Sequence, residues 1–422
     1  MVNKLIEMSL HNRLVVIILA AGLLGWGIYN IQRNPVDAIP DLSENEVIVY
    51  TEWMGQSPQI IEDQVTYPLV SNMQGIAKVK TVRGTSMFGM SFVYIVFNDD
   101  VDIYWARTRV LEKLNYAQRL LPQGVTPTLG PDGTGVGHIF WYHLDAPKMD
   151  LGEQRALQDW YIKFALQTVP GVAEVASFGG FEKQYQIVID PVKLQFYNLS
   201  MMDVMNKVKA NNNDVGGRKF EMSDMAYIVR GLGYIKNIDD IENIAVGNNN
   251  GIPVRVKDIG TVQMGGDLRL GIFDANGEGE VVGGIVIMRY GENADKVIND
   301  VKKKMGDVQK GLPDGVSFKI DYDRSELIEA AIANIKDKLI EEISIVCIIV
   351  IVFLLHWRSA LSIIIQIPIS IAISFILLNA FGLSSNIMSL TGIALAIGVI
   401  VDNGIIMSEN AYRNLSEYQN KQ

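Results

Sequence analysis

The chain has 422 residues, 49% of them hydrophobic and 20% charged, with a formal net charge of −10 at pH 7. That acidity argues against nucleic acid as a partner, and the single cysteine, Cys347, excludes an intrachain disulfide and a cysteine-based zinc site. Composition between a soluble protein and a membrane bundle predicts spanning segments joined to extramembrane domains.

In chain order, Leu14 to Ile31 is the first spanning segment, preceded by Lys4, His11 and Arg13. It is too long for the apolar core of a signal peptide and no A-x-A cleavage site follows, so it reads as an uncleaved anchor. Beyond it, two short words recur. Gly75-Ile76-Ala77-Lys78-Val79 returns as Gly171-Val172-Ala173-Glu174-Val175, and Leu121-Pro122-Gln123-Gly124-Val125 as Leu312-Pro313-Asp314-Gly315-Val316.

Around the first word each copy is predicted as strand, amphipathic helix, strand: 46–53, 58–73 and 78–83, then 138–144, 151–169 and 173–178. Around the second word each is predicted as strand, helix, turn and strand, with strands 91–97 and 282–289 and helices 103–120 and 294–311. Two β-α-β halves make a split βαβ, ferredoxin-like unit, so two such subdomains are expected. The second is interrupted by about 191–279, with a helix at 200–210, strands at 226–229 and 254–256, and turn signals Asn250-Gly251 and Asn276-Gly277. An insertion of this kind costs little closure entropy and often carries a docking function.

Three further apolar segments follow: 343–355 (continued upstream by a helical pattern from Glu326), 361–380, and Ile387 to Ile406. His356-Trp357-Arg358-Ser359 makes an interfacial turn. Placing Lys4, Arg13, Arg358, Arg413 and Lys421 on the cytoplasmic side gives an in–out–in–out–in path that displays about residues 32–339 outside.

The last segment holds an acid. A carboxylate in hydrocarbon costs about 2.5–3.5 kcal/mol even on the mild insertion scale, so Asp402 reads as part of a proton or ion path. Ala394, Gly398 and Asp402 share one face, where small residues let another helix approach and shield the acid from lipid. The competing reading is an acid at a helix end, snorkelling to the interface. No Walker loop, HExxH or GxSxG occurs, so nothing supports an enzyme, and without a P-loop ATP is not an energy source within the chain.

Several words match a known family: Asn34-Pro-Val-Asp-Ala-Ile-Pro-Asp-Leu42, Gln64-Val-Thr-Tyr-Pro-Leu69, Tyr104-Trp-Ala-Arg107, Gly133-Thr-Gly-Val-Gly137, Gln158-Asp-Trp160, Tyr322-Asp-Arg-Ser325 and Asn386-Ile-Met-Ser-Leu390. The chain resembles the N-terminal half of a resistance-nodulation-division (RND) efflux pump of the heavy-metal branch, most like its copper/silver type. The resemblance implies an α+β membrane protein of four transmembrane helices and two ferredoxin-like porter subdomains with a docking insertion. It divides the chain into 1–33 (N-terminus and first helix), 34–132 (first porter subdomain), 133–190 and 280–325 (halves of the second), 191–279 (docking insertion), and 326–357, 358–382 and 383–422 (the remaining helices).

The family's pumps are proton-driven homotrimers of the Gram-negative inner membrane, joined to a periplasmic adaptor and an outer-membrane channel. Asp402 falls at the family's proton-relay aspartate, while Asn403 stands where multidrug members carry a second acid. Met388 matches a position proposed to pass metal, whereas Ile400 occupies one where copper pumps can have methionine.

Soft thioethers suit Cu(I) or Ag(I), the expected cargo. Met87 with Met90, Met201 with Met202 and Met205, and Met222 with Met225 read instead as gap-filling core methionines. The other readings are a multidrug RND pump and a half-length module that binds partners but transports nothing. The chain alone, lacking the second half of the layout, is expected to be transport-incompetent.

Overall fold

A computed structural model describes residues 8–9, 11–222, 225–269, 271–354 and 357–419; Lys4, His356 and Lys421 lie outside them. The described residues form two compact units. One comprises those of Met1–His143, Ile162–Ala176 and Gly284–Gln422; the other comprises Leu144–Tyr161 and Ser177–Gly283.

The first unit opens with α1 (Arg13–Arg33). A four-stranded sheet follows, built from β1 (Glu46–Glu52), β2 (Val79–Met87), β3 (Met90–Phe97) and β4 (Pro127–Leu129) in the order β2-β3-β1-β4. Alternation sorts its faces: Val47, Val49 and Thr51 of β1 are buried, while Ile48 and Tyr50 are half-buried on the opposite face. Two helices cover the buried face. α2 (residues 58–73) starts where the Ser57 side chain accepts from Ile60 N and Pro58 sets the first turn. α3 (Ile103–Ala117) starts where Asp102 accepts from Trp105 N at 2.8 Å. Ile61, Val65, Leu69 and Met73 of α2 and Ala106, Val110 and Leu114 of α3 recur at helical spacing and close one core with Val47, Val93, Ile95 and Phe97.

Next in the chain come β5 (Gly133–Asp145), α4 (residues 151–167), which belongs to the second unit as far as Tyr161, and β6 (Val172–Phe178). A capping box starts α4, with Glu153 N donating to Asp150 at 2.8 Å and Asp150 N to Glu153 at 3.2 Å. Both α2 and α4 contain a π turn, at Glu62–Thr66 and Gln158–Ile162.

The second unit carries β7 (Lys183–Ile189), α5 (Pro191–Phe196), α6 (Met201–Asn211), β8 (Val215–Met222), β9 (Met225–Gly231), α7 (Ile238–Glu242), β10 (Ala245–Asn249), β11 (Ile252–Arg255), α8 (Val256–Ile259) and β12 (Gly260–Gly266). Three separate ribbons result: β7 with β12, β8 with β9, and β10 with β11. The β10–β11 turn is the Asn250-Gly251 pair, both left-handed at φ 52° and 87°. Leu194, Val204, Ile241, Val246, Val256 and Ile259 form this unit's core. The β8–β9 hairpin is exposed along its described length.

The chain then re-enters the first unit with β13 (Gly283–Arg289), α9 (Ala294–Gln309) and β14 (Ser317–Asp323). The second sheet has the order β14-β5-β13-β6. Numbering each sheet's strands by their order within their own copy gives 4-1-3-2 both times. The turns repeat as well: Gly124 and Gly315 both take φ 87°, and Val125 N and Val316 N donate to Pro122 O and Pro313 O at 3.1 and 3.2 Å.

Three helices complete this unit: α10 (Arg324–Leu354), α11 (Trp357–Ala380) and α12 (Ile387–Gln419). α11 packs on α1, and α12 packs on both α10 and α11. Gly27 of α1 touches Ala372 of α11 so closely that a Cβ at 27 would overlap it. Leu14, Ile17, Ile18 and Leu19 of α1 and Leu395, Val399 and Ile406 of α12 are exposed. This inverted pattern is favourable where the surrounding solvent is lipid. Among the described residues, Arg13–Arg33 and Ile387–Ala411 are long and apolar enough to cross a membrane, and Ile365–Ala380 is a shorter apolar stretch.

Candidate functional site

The ends of α1, α10 and α12 are tied together by one small junction. After α1, residues 34–38 run beside the α11–α12 loop, with Val36 and Ser385 in a parallel bridge. Ser385 N donates to Pro35 O at 2.9 Å, Asp37 N to Ser385 O at 3.2 Å, and Asn34 Nδ2 to Ser385 Oγ at 2.8 Å. Asn34, Ser385 and Asn386 are buried polar residues, a placement that holds only because they satisfy one another and the local backbone.

Arg324, the first residue of α10, is 4% exposed. Its guanidinium reaches Asp37 at 3.4 Å and donates to His138 O of β5 at 3.0 Å. One cation therefore bridges the strap after α1 and the second sheet. Burial pushes the Asp37 carboxyl above its ordinary range, and Arg324 opposes that shift. Burial, with Arg324 nearby, pushes the His138 imidazole below its ordinary value. Behind this pair, Asp323 is held below the usual carboxylate range: burial raises it, but hydrogen bonds from Lys302 and Ser325 outweigh burial.

Beyond the junction runs α12. Met388 lies in its first turn and is 71% exposed. Asp402 lies inside the helix, which continues to Gln419. At 1.5 Å rise per residue the two positions are about 21 Å apart along the axis. Asp402 is exposed, while Ala394 and Gly398 on its face are half-buried. The close helix cover expected over the acid is therefore present only toward the start of that face.

A cleft of about 460 Å³ lies between the two sheets of this unit. It joins two words of the sequence, Tyr104-Trp-Ala-Arg107 and the glycine-rich start of β5. Tyr104 donates to Asp132 at 3.2 Å, Arg289 pairs with Asp132 at 3.2 Å, and Arg107 donates to Gly130 O and Pro131 O at 2.7 and 3.0 Å. Burial and the Asp132 charge push the Tyr104 hydroxyl up. Glu44, Glu46, Asp99 and Asp102 line the cleft together with Arg107, and Arg83 pairs with Glu44 and Glu46.

The methionine clusters differ from their expectation. Met87, Met201, Met202, Met205, Met222 and Met225 are all exposed large side chains, not fillers of core gaps. They sit at a strand end, at the start of α6 and at a hairpin tip, where no second layer covers them. Among the described residues, no group of three or more His, Cys, Asp or Glu is placed to hold a metal ion.

The AcrB/AcrD/AcrF family matches the chain over residues 5–422. The chain belongs to that family. It is 48% identical to the putative cation efflux system protein SilA of Salmonella typhimurium and 48% identical to the cation efflux system protein CusA of Escherichia coli K12, covering 100% of this chain and 40% of each relative. The cobalt-zinc-cadmium resistance protein CzcA of Cupriavidus metallidurans is 36% identical over 99% of this chain and 40% of its own.

A crystal structure of a heavy metal efflux pump superposes with a TM-score of 0.86 at 32% identity, covering 97% of this chain and 41% of that one. The chain thus spans about two-fifths of the length of these relatives and has the RND transporter fold, α+β, as the N-terminal part of a CusA/SilA-type sequence. The structure brings together family words that lie far apart in sequence: Asp37, Arg324 and Asn386 come from three of them and meet at one junction. Charged or amide side chains flanking each apolar segment were the signal; their pairing was not readable.

Proposed function

We propose that this chain is the N-terminal part of a pump subunit exporting soft monovalent cations, Cu(I) or Ag(I), from the inner membrane, driven by protons. The supporting observation is the 48% identity to SilA and CusA along the whole chain, against 36% to a cobalt-zinc-cadmium protein and 31% to the nickel and cobalt resistance protein CnrA. In this reading α1, α10, α11 and α12 are four transmembrane helices. The shared 4-1-3-2 strand order supports two ferredoxin-like porter subdomains, and residues 191–279 serve as the docking insertion. About residues 32–339 face the periplasm, and the working assembly is a homotrimer engaging an adaptor and an outer-membrane channel.

Asp402 carries the coupling proton, and Met388 is a soft ligand on the metal's path through the membrane. Since α12 is tied to Pro35, Asp37 and Ala38 through Ser385 and Ile387, a shift of α12 on protonation is passed to the strap and, through Arg324, to β5. Tolerance assays against silver, copper, zinc and cobalt in cells carrying the full-length transporter test the cargo. Protection against silver and copper is expected; protection confined to zinc and cobalt overturns it.

A further inference from the structure

We propose that Met54, Met87 and Met90 form a three-thioether site for a soft monovalent cation at the end of the first sheet, outside the membrane helices. This rests on the reading of the cargo as Cu(I) or Ag(I). Met87 and Met90 are direct partners across the β2–β3 ladder, on either side of the turn Phe88-Gly89. Residues opposite one another in an antiparallel pair point to the same face with Cβ atoms about 4.5–5.5 Å apart, well within the combined reach of two methionines. Met90 also faces Glu52 of β1, so Glu52, Met90 and Met87 make one row across three strands.

The third thioether comes from the chain just past β1. Trp53 N donates to Gly89 O at 2.8 Å, so the ladder continues one residue beyond the strand. Trp53 packs into the helix-covered core, which sends Met54 to the other face by alternation, the face of Glu52 and Met90. Met54 lies over the turn itself. Its Sδ is 3.0 Å from where a Cβ on residue 89 would stand, and Gly89 takes φ 72°. Glycine at this position both makes the turn and leaves room for the sulfur.

Met54 is 48% exposed and Met87 51%, so neither is spent filling a core. Three thioethers on one face at a half-open sheet end, with the Glu52 carboxylate in the same row, suit Cu(I) or Ag(I), and offer too few hard donors for Zn²⁺ or Co²⁺. A site there would hold the ion outside the membrane path, before or after passage through it.

Silver nitrate added to the purified full chain in detergent, with carbon-13 labels on the methionine methyl groups, tests this directly. The Met54, Met87 and Met90 resonances should shift together at the first additions of silver and stay still with zinc. Met264, exposed on β12, should not move with them. Met87→Leu and, separately, Met54→Leu should abolish the joint shift; both replace an exposed residue at nearly equal volume, and an unchanged circular dichroism spectrum verifies the fold. If silver shifts other methionines but leaves these three in place, the site is wrong and the cargo reading survives. If no methionine responds while the tolerance assays show zinc and cobalt protection, the cargo reading fails and the site fails with it.

Discussion

Arg324 and Asp37 pair at 3.4 Å inside a junction where the first residue of α10 meets the strap after α1. The same guanidinium holds the His138 carbonyl of the second sheet, so a single side chain links helix, strap and strand.

Replacing Arg324 by alanine leaves the Asp37 carboxylate enclosed without its counter-charge and the His138 carbonyl without its donor. Such a loss costs about 3 kcal/mol. Thermal unfolding of the detergent-solubilised protein should show a clear drop for Arg324→Ala, and a drop as well for Asp37→Asn, which leaves the buried guanidinium without its counter-charge.

Asp323 makes the stability of this region pH-dependent. An unfolded aspartate titrates near 3.8, and in the folded chain Lys302 and Ser325 hold Asp323 lower. The native state therefore binds fewer protons in that window. Its stabilisation is fully present above about 3.8 and is lost as the pH falls from there through the folded value. Asp323→Asn should lower the unfolding midpoint at neutral pH, and the difference from the parent should close in acid.

Gly124 and Gly315 occupy the same turn in the two copies, each at φ 87° with open space where a Cβ would go. Alanine at either position meets no clash and only the backbone cost of the left-handed region, about 1–2 kcal/mol. Matched losses in the two single variants are expected from calorimetry. A large effect at one and none at the other would contradict the equivalence of the copies.

Met388 should separate function from stability. At 71% exposure its replacement by leucine should change stability by less than about 0.5 kcal/mol. Silver tolerance in the full-length transporter should nevertheless fall, because the thioether donor is gone while the volume is kept.

Much of this fold was legible in the sequence because the repeats are written in turn chemistry. The Leu-Pro-x-Gly-Val words mark turns whose glycines need positive φ, and Asn250-Gly251 marks the β10–β11 hairpin. The helix starts expected at 58, 103 and 151 fall where Ser57, Asp102 and Asp150 cap in the structure. The pairing of β7 with β12 was not legible, since those strands meet only after some seventy residues of intervening chain and neither carries a partner-specific signal. Nor was the exposure of the methionines, because a thioether in sequence has no sign of whether a second layer covers it. Of the candidate site residues, Asp402 was singled out in the sequence by its cost, whereas the Asp37–Arg324 pairing needed the fold.

The central claim is that Asp402 couples proton movement to metal export, and proton flux measures it most directly. Full-length transporter is reconstituted in vesicles with an imposed pH gradient, and silver-stimulated proton flux is recorded for the parent and Asp402→Asn. The account predicts flux in the parent and its loss in the variant, with insertion and folding unchanged. Equal silver-stimulated flux in both would contradict it.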